Sequence, residues 1–413
     1  MPHTDDVQAP TPLARSQGVR RARIVAASLL TFIGAPGASA AMNYTILDLG
    51  TLQGFVSSKT TRYGAVNTAG QVVGVSRSSS GLNHAFRTSA NAAINPATDD
   101  LGTLGGGNTV ANGVNDLGQV AGYSTTATGA EHAFRTTATG KVTGADLGTL
   151  GGSNSRANGI NASGQVAGQS YTNGSGQDTE HAFRTTAAGK VSDVGADLGT
   201  FPGGLRSVAN GINDSGQVVG FSYTANNGPS HAFRTTASGR VSDGDTDLGT
   251  LGGSVSEAWG INASGQTVGF SQVAGDASYH AFRTTAAGKI SDPGTDLGTL
   301  GGAFSFAFGI NTAGQVVGWS STDAGERAFI IDATGPMRDL NDLIPVDSGW
   351  TLNEAQGIND AGQIAGFGMI GGQVHAFLLT PATPEPGGAA MALVAASAMW
   401  TRRPRRCRSL AAR

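Results

Sequence analysis

One motif recurs seven times along this chain at a nearly constant spacing, and this periodicity limits the fold more than any other feature. Neighbouring copies are separated by about 48 residues. A repeat of this length is one supersecondary unit that buries its apolar face only against its neighbours, so the sequence predicts a repeat architecture and not two or three independent domains. The motif is Asn-x-x-Gly-Gln, and its copies begin at Asn67, Asn115, Asn161, Asn213, Asn262, Asn311 and Asn359.

Two further motifs recur with the same period as the first. His-Ala-Phe occurs six times, and Arg327 occupies the position of the missing seventh histidine. Asp-Leu-Gly also occurs six times, with a degenerate copy at Asp339. The histidines are His84, His132, His181, His231, His280 and His375, and the aspartates are Asp48, Asp100, Asp146, Asp197, Asp247 and Asp296.

Each repeat predicts four short strands. They are Asp-Leu-Gly-Thr-Leu, the segment that ends in Gly-Ile-Asn, Gln-Val-x-Gly, and His-Ala-Phe-Arg-Thr. Between the second and third strands, Asn-x-x-Gly has the residues of a tight hairpin turn, in which glycine takes the left-handed position before the return strand. The repeats contain no helical periodicity of useful length, so we expect an all-β fold.

The two ends of the repeat region favour a closed ring. The first strand, around Ile46, belongs to no preceding repeat, and the last strand, around Leu378, has no Asp-Leu-Gly strand after it. If the N-terminal strand completes the last repeat, no sheet edge needs a cap. We therefore expect residues 41–380 to form a seven-bladed β-propeller of four-stranded repeats, closed by the N-terminal strand. A β-solenoid and a string of separate units are the alternatives.

The distribution of charge argues against nucleic acid as a partner. The 413-residue chain has a formal net charge of −3, but ten of its 26 basic residues lie in the two terminal segments, which leaves the body near −11. A body with this charge repels a phosphate backbone. The single cysteine, Cys407, lies in the C-terminal tail, so the body has neither a disulfide framework nor a cysteine-ligated metal site.

Residues 1–40 have the organisation of a secretory signal peptide. Three arginines precede an apolar run at residues 24–33, and small residues follow up to Ala40. We expect export through the Sec machinery and cleavage between Ala40 and Ala41. The alternatives are an amphipathic helix and a twin-arginine signal.

The C-terminal segments have the order of a sorting signal. Residues 381–388 form a Pro/Gly linker, and residues 389–413 hold an apolar helix and an arginine-rich tail. This order resembles the PEP-CTERM signal, which implies processing by an exosortase-like protease. The apolar run is short for a hydrocarbon core of about 30 Å, so we expect transient membrane anchoring. The residues that carry the resemblance are Pro384, Glu385, Pro386, Arg402, Arg403 and Arg405.

The tripeptide His-Ala-Phe gives the repeats a second resemblance. From about Tyr44 to Thr380, the chain resembles the HAF-repeat family of extracellular proteins. The resemblance implies a protein of a Gram-negative bacterium that is secreted, or displayed on the outer cell surface, with a place in the extracellular or biofilm matrix. It implies no reaction.

The side chains that repeat are expected to have structural roles. Identical histidines in six repeats more often bond a neighbouring strand than bind a metal or an anion, and Arg327 in the seventh position is a poor metal ligand. The arginines that follow His-Ala-Phe are expected to pair with aspartates of the next strand or to face solvent. We predict no catalytic residue, no cofactor and no metal. Four glutamates depart from the repeat and are candidates for acid–base chemistry: Glu131, Glu180, Glu257 and Glu354.

Aromatic residues differ between the repeats and mark the expected recognition surface. Five of them follow Gln-Val-x-Gly, in a stretch expected to form loops on one face, and two lie on the predicted innermost strands. Aromatic rings beside small polar residues suit sugar rings or a protein partner. Packing between blades is the alternative. The seven residues are Tyr123, Tyr171, Tyr223, Tyr279, Trp319, Trp259 and Phe308.

Together these features predict a secreted or cell-surface module that binds or scaffolds exopolysaccharide or envelope components. The rival hypothesis is a polysaccharide-active enzyme, either a lyase or a hydrolase. It requires a cluster of unlike acid and base residues at one mouth of the channel. A purely structural surface protein is the third hypothesis.

Overall fold

The computed structural model describes residues 44–172 and 179–382, which form an all-β fold of seven small antiparallel sheets. Two short 3-10 helices, Ala225–Asn227 and Leu340–Leu343, are the only helical segments in these residues. The strands in chain order are β1 (Tyr44–Gly50), β2 (Phe55–Thr60), β3 (Val73–Ser78), β4 (Asn83–Arg87), β5 (Gly105–Val114), β6 (Val120–Thr126), β7 (Glu131–Arg135), β8 (Gly151–Ile160), β9 (Val166–Thr172), β10 (Glu180–Arg184), β11 (Asp197–Gly199), β12 (Ser207–Ile212), β13 (Val218–Tyr223), β14 (Ser230–Arg234), β15 (Gly252–Ile261), β16 (Thr267–Val273), β17 (Tyr279–Arg283), β18 (Ser305–Ile310), β19 (Val316–Thr322), β20 (Gly325–Ile331), β21 (Arg338–Asp339), β22 (Trp350–Ile358), β23 (Ile364–Ile370) and β24 (Gln373–Pro381).

Six sheets are meanders of consecutive strands, and the seventh also takes in the first strand of the chain. In order, the sheets are β2-β3-β4, β5-β6-β7, β8-β9-β10-β11, β12-β13-β14, β15-β16-β17, β18-β19-β20-β21 and β22-β23-β24-β1. In the seventh sheet β1 pairs antiparallel with β24, with Ile46 opposite Leu379 and Leu47 opposite Leu378. The first and last strands of the described chain therefore share one sheet.

The prediction of four strands in every repeat is wrong for four of the sheets. There, the aspartate of Asp-Leu-Gly makes only an isolated bridge to the phenylalanine of His-Ala-Phe, as Asp146 does to Phe134. The Asp146 carboxylate accepts the backbone N–H of Gly148 at 2.7 Å, and Gly148 has a φ of 72°. Asp197 makes the same Asx turn in the third sheet, where one further residue pair, Gly199 with Ala182, extends the contact into the short strand β11.

The alanine and phenylalanine of each His-Ala-Phe motif belong to the core. All seven phenylalanines at this position have 0% exposed surface. Buried apolar side chains of the described residues form seven clusters, and each cluster joins two sheets. One of them brings Phe86 of the first sheet together with Leu378 of the seventh. The apolar contacts thus run from sheet to sheet and return to the first.

The Asn-x-x-Gly-Gln turns link neighbouring sheets through side-chain hydrogen bonds. In the first copy, the Asn67 side chain accepts the backbone N–H of Gln71 and donates both to the Gln71 side chain and to the backbone carbonyl of Asn115. The other copies repeat this pattern, and the bonds to the next copy measure 2.8–3.1 Å. The predicted left-handed glycine is confirmed, since Gly70 has a φ of 77° and its equivalents have similar values.

The histidines bond a neighbouring strand, as predicted. Each His-Ala-Phe histidine lies with its Nδ1 2.9–3.1 Å from the Asp-Leu-Gly carboxylate beside it, and His375 reaches Asp48 in this way. The prediction for the following arginines is wrong. Instead of pairing with aspartates, Arg135 donates to the backbone carbonyl of Gly164 at 2.8 Å, in the turn of the next repeat. The equivalent arginines of the other repeats bond the corresponding glycine carbonyls in the same way.

Candidate functional site

The residue just before Gly-Ile-Asn occupies an equivalent position on the innermost strand of each repeat, and these positions form a column. The residue type in this column is constant in three repeats and varies in the others. In three consecutive repeats the column holds an asparagine whose side-chain amide donates at 2.8 Å to a backbone carbonyl of the next repeat. These are Asn112, Asn158 and Asn210. The next three repeats hold Trp259, Phe308 and Gln356 instead, so the hydrogen-bond series stops there.

Residues of the first repeat pack onto this irregular side. The Arg62 guanidinium lies 4.7 Å from the ring centroid of Phe308 and 5.4 Å from that of Trp259. The same guanidinium lies 3.4 Å from the Glu354 carboxylate. The Tyr63 ring stacks on Trp259 at 5.5 Å with an interplanar angle of 16°. We call Arg62, Tyr63, Trp259, Phe308 and Glu354 the Arg62 cluster.

A half-buried carboxyl group lies beside this cluster. Burial raises the pKa of Glu257 to about 7, although the Trp259 indole and the Arg62 guanidinium both act to lower it. The Trp259 indole nitrogen is buried and makes no hydrogen bond of ordinary geometry within the described residues. Burial also raises the pKa of Tyr63 to about 12, which keeps its hydroxyl protonated. Glu257 can therefore hold or release a proton near neutral pH.

Two pockets open beside the Arg62 cluster. One, of about 130 Å³, is lined by Tyr63, Trp259 and Phe308 together with the Gly-Ile segments of the inner strands. The other, of about 280 Å³, is lined by Arg62 and Arg156 among carboxamide, hydroxyl and tyrosine side chains. A third pocket, of about 210 Å³, is lined by the seven Asn-x-x-Gly-Gln asparagines.

The predicted aromatic residues do not form one continuous surface. Trp259 and Phe308 belong to the Arg62 cluster, and Tyr123 lines the pocket of about 280 Å³. Tyr171 lines a separate pocket of about 90 Å³ beside Glu131 and Glu180. Tyr223 lies against Phe221 and under the Arg206 guanidinium.

Tyr279 and Trp319 belong to an aromatic patch between the fifth and sixth sheets. Phe306 stacks on Trp319 at 4.8 Å and on Tyr279 at 6.0 Å. Phe304, beside Tyr279, is 38% exposed. These rings both pack between sheets and reach the surface, so the two sequence-based interpretations of the aromatic residues are not exclusive.

The placement of the aromatic residues in loops was wrong. Tyr123, Tyr171 and Trp319 lie inside strands, Tyr223 ends one, and Tyr279 begins one. The middle strand of each sheet runs several residues past Val-x-Gly, because it pairs with both of its neighbours along that length.

Three of the four non-repeating glutamates have arginine partners that the sequence did not reveal. Glu131 pairs with Arg156, Glu180 with Arg206, and Glu354 with Arg62. Arg62, Tyr63 and Arg156 were missed as site residues. The available signal was the break in the inner-strand column, since the first repeat reads Thr-Arg-Tyr-Gly-Ala-Val-Asn where the third reads Arg-Ala-Asn-Gly-Ile-Asn.

Several predictions fall outside the described residues. They are the cleavage site at Ala40 and Ala41, and the sorting residues Pro384, Glu385, Pro386, Arg402, Arg403 and Arg405. Within residues 44–172 and 179–382, no group of three or more His, Cys, Asp or Glu side chains is arranged to hold a metal ion. In the same part of the chain, no helix has the length and apolar character needed to cross a bilayer.

Comparison with known proteins gives structural similarity only. No family model matches the sequence, and no curated protein matches it. The solved structure of the Trypanosoma rangeli sialidase is similar, with 11% identity and a TM-score of 0.37 over 87% of this chain and 60% of that one. Its complex with 2,3-difluoro-KDN gives 11% identity and a TM-score of 0.38 over 82% and 58%, respectively. The chain thus spans about three-fifths of the length of these structures.

Proposed function

We propose that the seven sheets are the blades of a closed seven-bladed β-propeller. Three observations support the proposal. The N-terminal strand β1 lies in the same sheet as β24, an apolar cluster joins the first and seventh sheets, and the hydrogen bonds between asparagine turns lead from Asn359 back to Asn67. In such a ring the inner strands surround a channel, and the Arg62 cluster lies at one mouth of it.

The function that this geometry supports best is the binding of extracellular polysaccharide, without catalysis, by a secreted or surface-displayed scaffold module. One observation carries the proposal. In the inner-strand column, the series of asparagine hydrogen bonds ends where Trp259 and Phe308 stand in place of asparagine. These two residues lie beside Arg62 and Tyr63. A repeat protein that needed only stability would keep the asparagines. Phe308 is buried, so the half-buried Trp259 ring beside the pocket of about 130 Å³ supplies the aromatic surface that a sugar ring requires.

The proposed location rests on the two terminal segments. The signal peptide would direct the chain across the inner membrane through the Sec machinery. The PEP-CTERM-like tail would then anchor it transiently until an exosortase-like protease removes the tail. The HAF-repeat resemblance agrees with an extracellular or outer-surface site.

A glycan panel tests the proposed binding. The full chain is assayed against neutral and acidic polysaccharides by affinity electrophoresis, beside the variant W259A and the control W350A. Trp350 packs on Phe377 in the seventh sheet and lines neither pocket at the Arg62 cluster. We expect W259A to weaken binding at least about tenfold, and W350A to leave it within about twofold once folding is verified. If the full chain retains no polysaccharide, or if both variants bind alike, the proposed function is wrong.

A second function, polysaccharide cleavage, is favoured by Glu257. A carboxyl group with a pKa of about 7, beside an arginine and a protonated tyrosine, has the properties of a general acid. The test is release of reducing ends or unsaturated products from the same glycan panel. Turnover by the full chain that E257Q lowers at least about a hundredfold would establish the enzyme. Binding without turnover leaves the scaffold module as the function.

A further inference from the structure

We propose that the pocket of about 280 Å³, lined by the first three repeats and by Gln356 of the seventh, binds a carboxylate-bearing sugar residue, such as a uronic acid unit of an acidic polysaccharide. The inference rests on the proposed glycan-binding function and names the class of glycan. The pocket adjoins the Arg62 cluster and shares Arg62 and Tyr63 with it.

The lining of this pocket is polar, and each of its cationic groups has a glutamate partner outside the lining, Glu354 for Arg62 and Glu131 for Arg156. It contains two guanidinium groups, from Arg62 and Arg156, and no carboxylate. The rest is almost entirely hydrogen-bonding side chains, in a protein whose body is acidic overall. The other lining residues are Thr60, Thr61, Tyr63, Val110, Asn112, Tyr123, Asn158, Gln169 and Gln356. Guanidinium N–H donors that the glutamates leave unused prefer an anionic oxygen to a neutral one.

Arg156 is held in position and is still accessible. Its Nε donates to the Glu131 carboxylate at 2.7 Å, and its guanidinium lies over the Tyr123 ring at 4.9 Å. Nevertheless, 46% of its side chain is exposed. A guanidinium has five N–H donors, and the Glu131 contact leaves several of them free. A pre-oriented guanidinium binds a carboxylate with a smaller entropy loss than a mobile lysine would.

The neutral groups suit the hydroxyls of a sugar. In the described part of the chain, the Tyr63 and Tyr123 hydroxyls make no hydrogen bond, and neither does the Gln169 amide nitrogen. The pocket volume of about 280 Å³ is just below the range of about 300–1,000 Å³ that is typical of ligand sites, so the room suits one sugar ring and not a folded peptide. A carboxylate on that ring would meet Arg156, and its hydroxyls would meet the amide and phenol groups.

The chain offers a matched control for Arg156. Arg206 also pairs with a glutamate, Glu180, at 2.7 Å, and it also lies over a tyrosine, Tyr223, at 5.6 Å. Its side chain is 44% exposed. Arg206 does not line the proposed pocket. R156Q and R206Q therefore remove the same kind of ion pair and ring contact, but only R156Q alters the pocket.

The experiment measures binding of the full chain to polygalacturonate, to its methyl ester and to dextran sulfate at fixed ionic strength. The methyl ester keeps the sugar backbone and removes the charge. We expect polygalacturonate to bind at least about tenfold more tightly than the ester or dextran sulfate. We expect R156Q to remove most of that preference and R206Q to keep it. The comparison of ligands uses the unaltered chain, so it stands even if a variant fails to fold.

The outcomes separate this inference from the proposed function. Equal binding of polygalacturonate and its ester, or the same loss in R156Q and R206Q, overturns the acidic-sugar site and leaves glycan binding standing. Tighter binding of dextran sulfate means a general anion site and also overturns it. Binding of neither these polymers nor the neutral glycans overturns the inference and the proposed function together.

Discussion

The side-chain amide of Asn359 donates a hydrogen bond of 2.8 Å to the backbone carbonyl of Asn67, 292 residues earlier in the chain. Six other asparagines make the equivalent bond to the next repeat forward in sequence. Only Asn359 bonds back to the start. A linear solenoid would lack this contact between the last repeat and the first, as it would lack the pairing of β1 with β24.

The first prediction concerns that bond. N359A would remove the second hydrogen bond to the Asn67 carbonyl, which keeps the Gly70 N–H, and would leave the backbone N–H of Gln363 without its partner, so we expect a loss of about 1–3 kcal/mol in the free energy of unfolding. Urea denaturation measures it. N83A is the control, because the half-buried Asn83 side chain makes no hydrogen bond to the described residues. Equal stability of the two variants would contradict the structural role of the asparagine turns.

A glycine of the middle strand provides the second prediction. A Cβ on Gly168 would lie 2.0 Å from the backbone carbonyl oxygen of Arg156, because the neighbouring strand bulges there. We expect G168A to destabilise the fold by about 1–3 kcal/mol. Thermal melts of both variants measure the effect. Gly244 has open space around it and needs no positive φ, so G244A should leave the stability of the fold unchanged. A neutral G168A would mean that the sheets are less tightly paired than described.

The His231–Asp247 pair predicts a pH window of stability. The hydrogen bond to Asp247 raises the pKa of His231. Burial acts to raise the pKa of Asp247, but hydrogen bonds from His231 and Gly249 outweigh it and the pKa is lowered. The His231 contribution is full below its unfolded pKa of about 6.5 and is lost as the pH rises through the folded value. The Asp247 contribution is present above its ordinary pKa of 3.8 and is lost on further acidification.

D247N should therefore destabilise the protein most near pH 5 and less at pH 3 or pH 8. The Asp247 side chain is 46% exposed, so solvent screening limits the effect to about 0–1 kcal/mol. D245N is the control, because Asp245 is an exposed neighbour in the same loop. Unfolding free energies at the three pH values check the prediction. A difference that does not change with pH would show that the ion pair contributes nothing.

Glu257 gives the fourth prediction. Because its pKa is about 7 in the folded protein and near 4.5 when exposed, the folded state binds the extra proton between these values, and stability falls as the pH rises through that window. E257Q should be more stable than the unaltered chain at pH 8, by about 1–3 kcal/mol, and similar to it at pH 4. The fluorescence of neighbouring Trp259 should titrate with a midpoint near pH 7. That titration should vanish in both E257Q and W259F, and its survival in E257Q would assign it to another group.

Much of the local structure was predictable from the sequence because its signals are short-range and repeated. Asn-x-x-Gly needs only its own residues to form a turn, and Gly70 adopts the expected left-handed conformation. The histidine contacts could also be predicted, because a side chain that recurs at the same position of each repeat has the same neighbour in each repeat. His231 and Asp247 are one such pair.

The site was harder to predict because its members come from distant repeats. Arg62 meets Phe308 and Glu354 only after the first repeat is placed beside the sixth and seventh, and no local pattern encodes that approach. The prediction of the arginine contacts failed for a similar reason. Arg135 bonds a backbone carbonyl of the next repeat, and because every residue has such a carbonyl, the sequence does not reveal which one accepts the bond.

The most direct test of the account is a disulfide across the junction of β1 and β24. Thr45 faces Thr380 in that pairing, within the distance that a disulfide spans. In a C407S background, mild oxidation of T45C/T380C should join the peptides around residues 45 and 380, as detected by mass spectrometry of a tryptic digest. T45C/T126C, which places the second thiol in the second sheet, should stay reduced. Failure of T45C/T380C to cross-link in folded protein, or equal cross-linking of both pairs, would contradict the closed ring and the mouth that the proposed site requires.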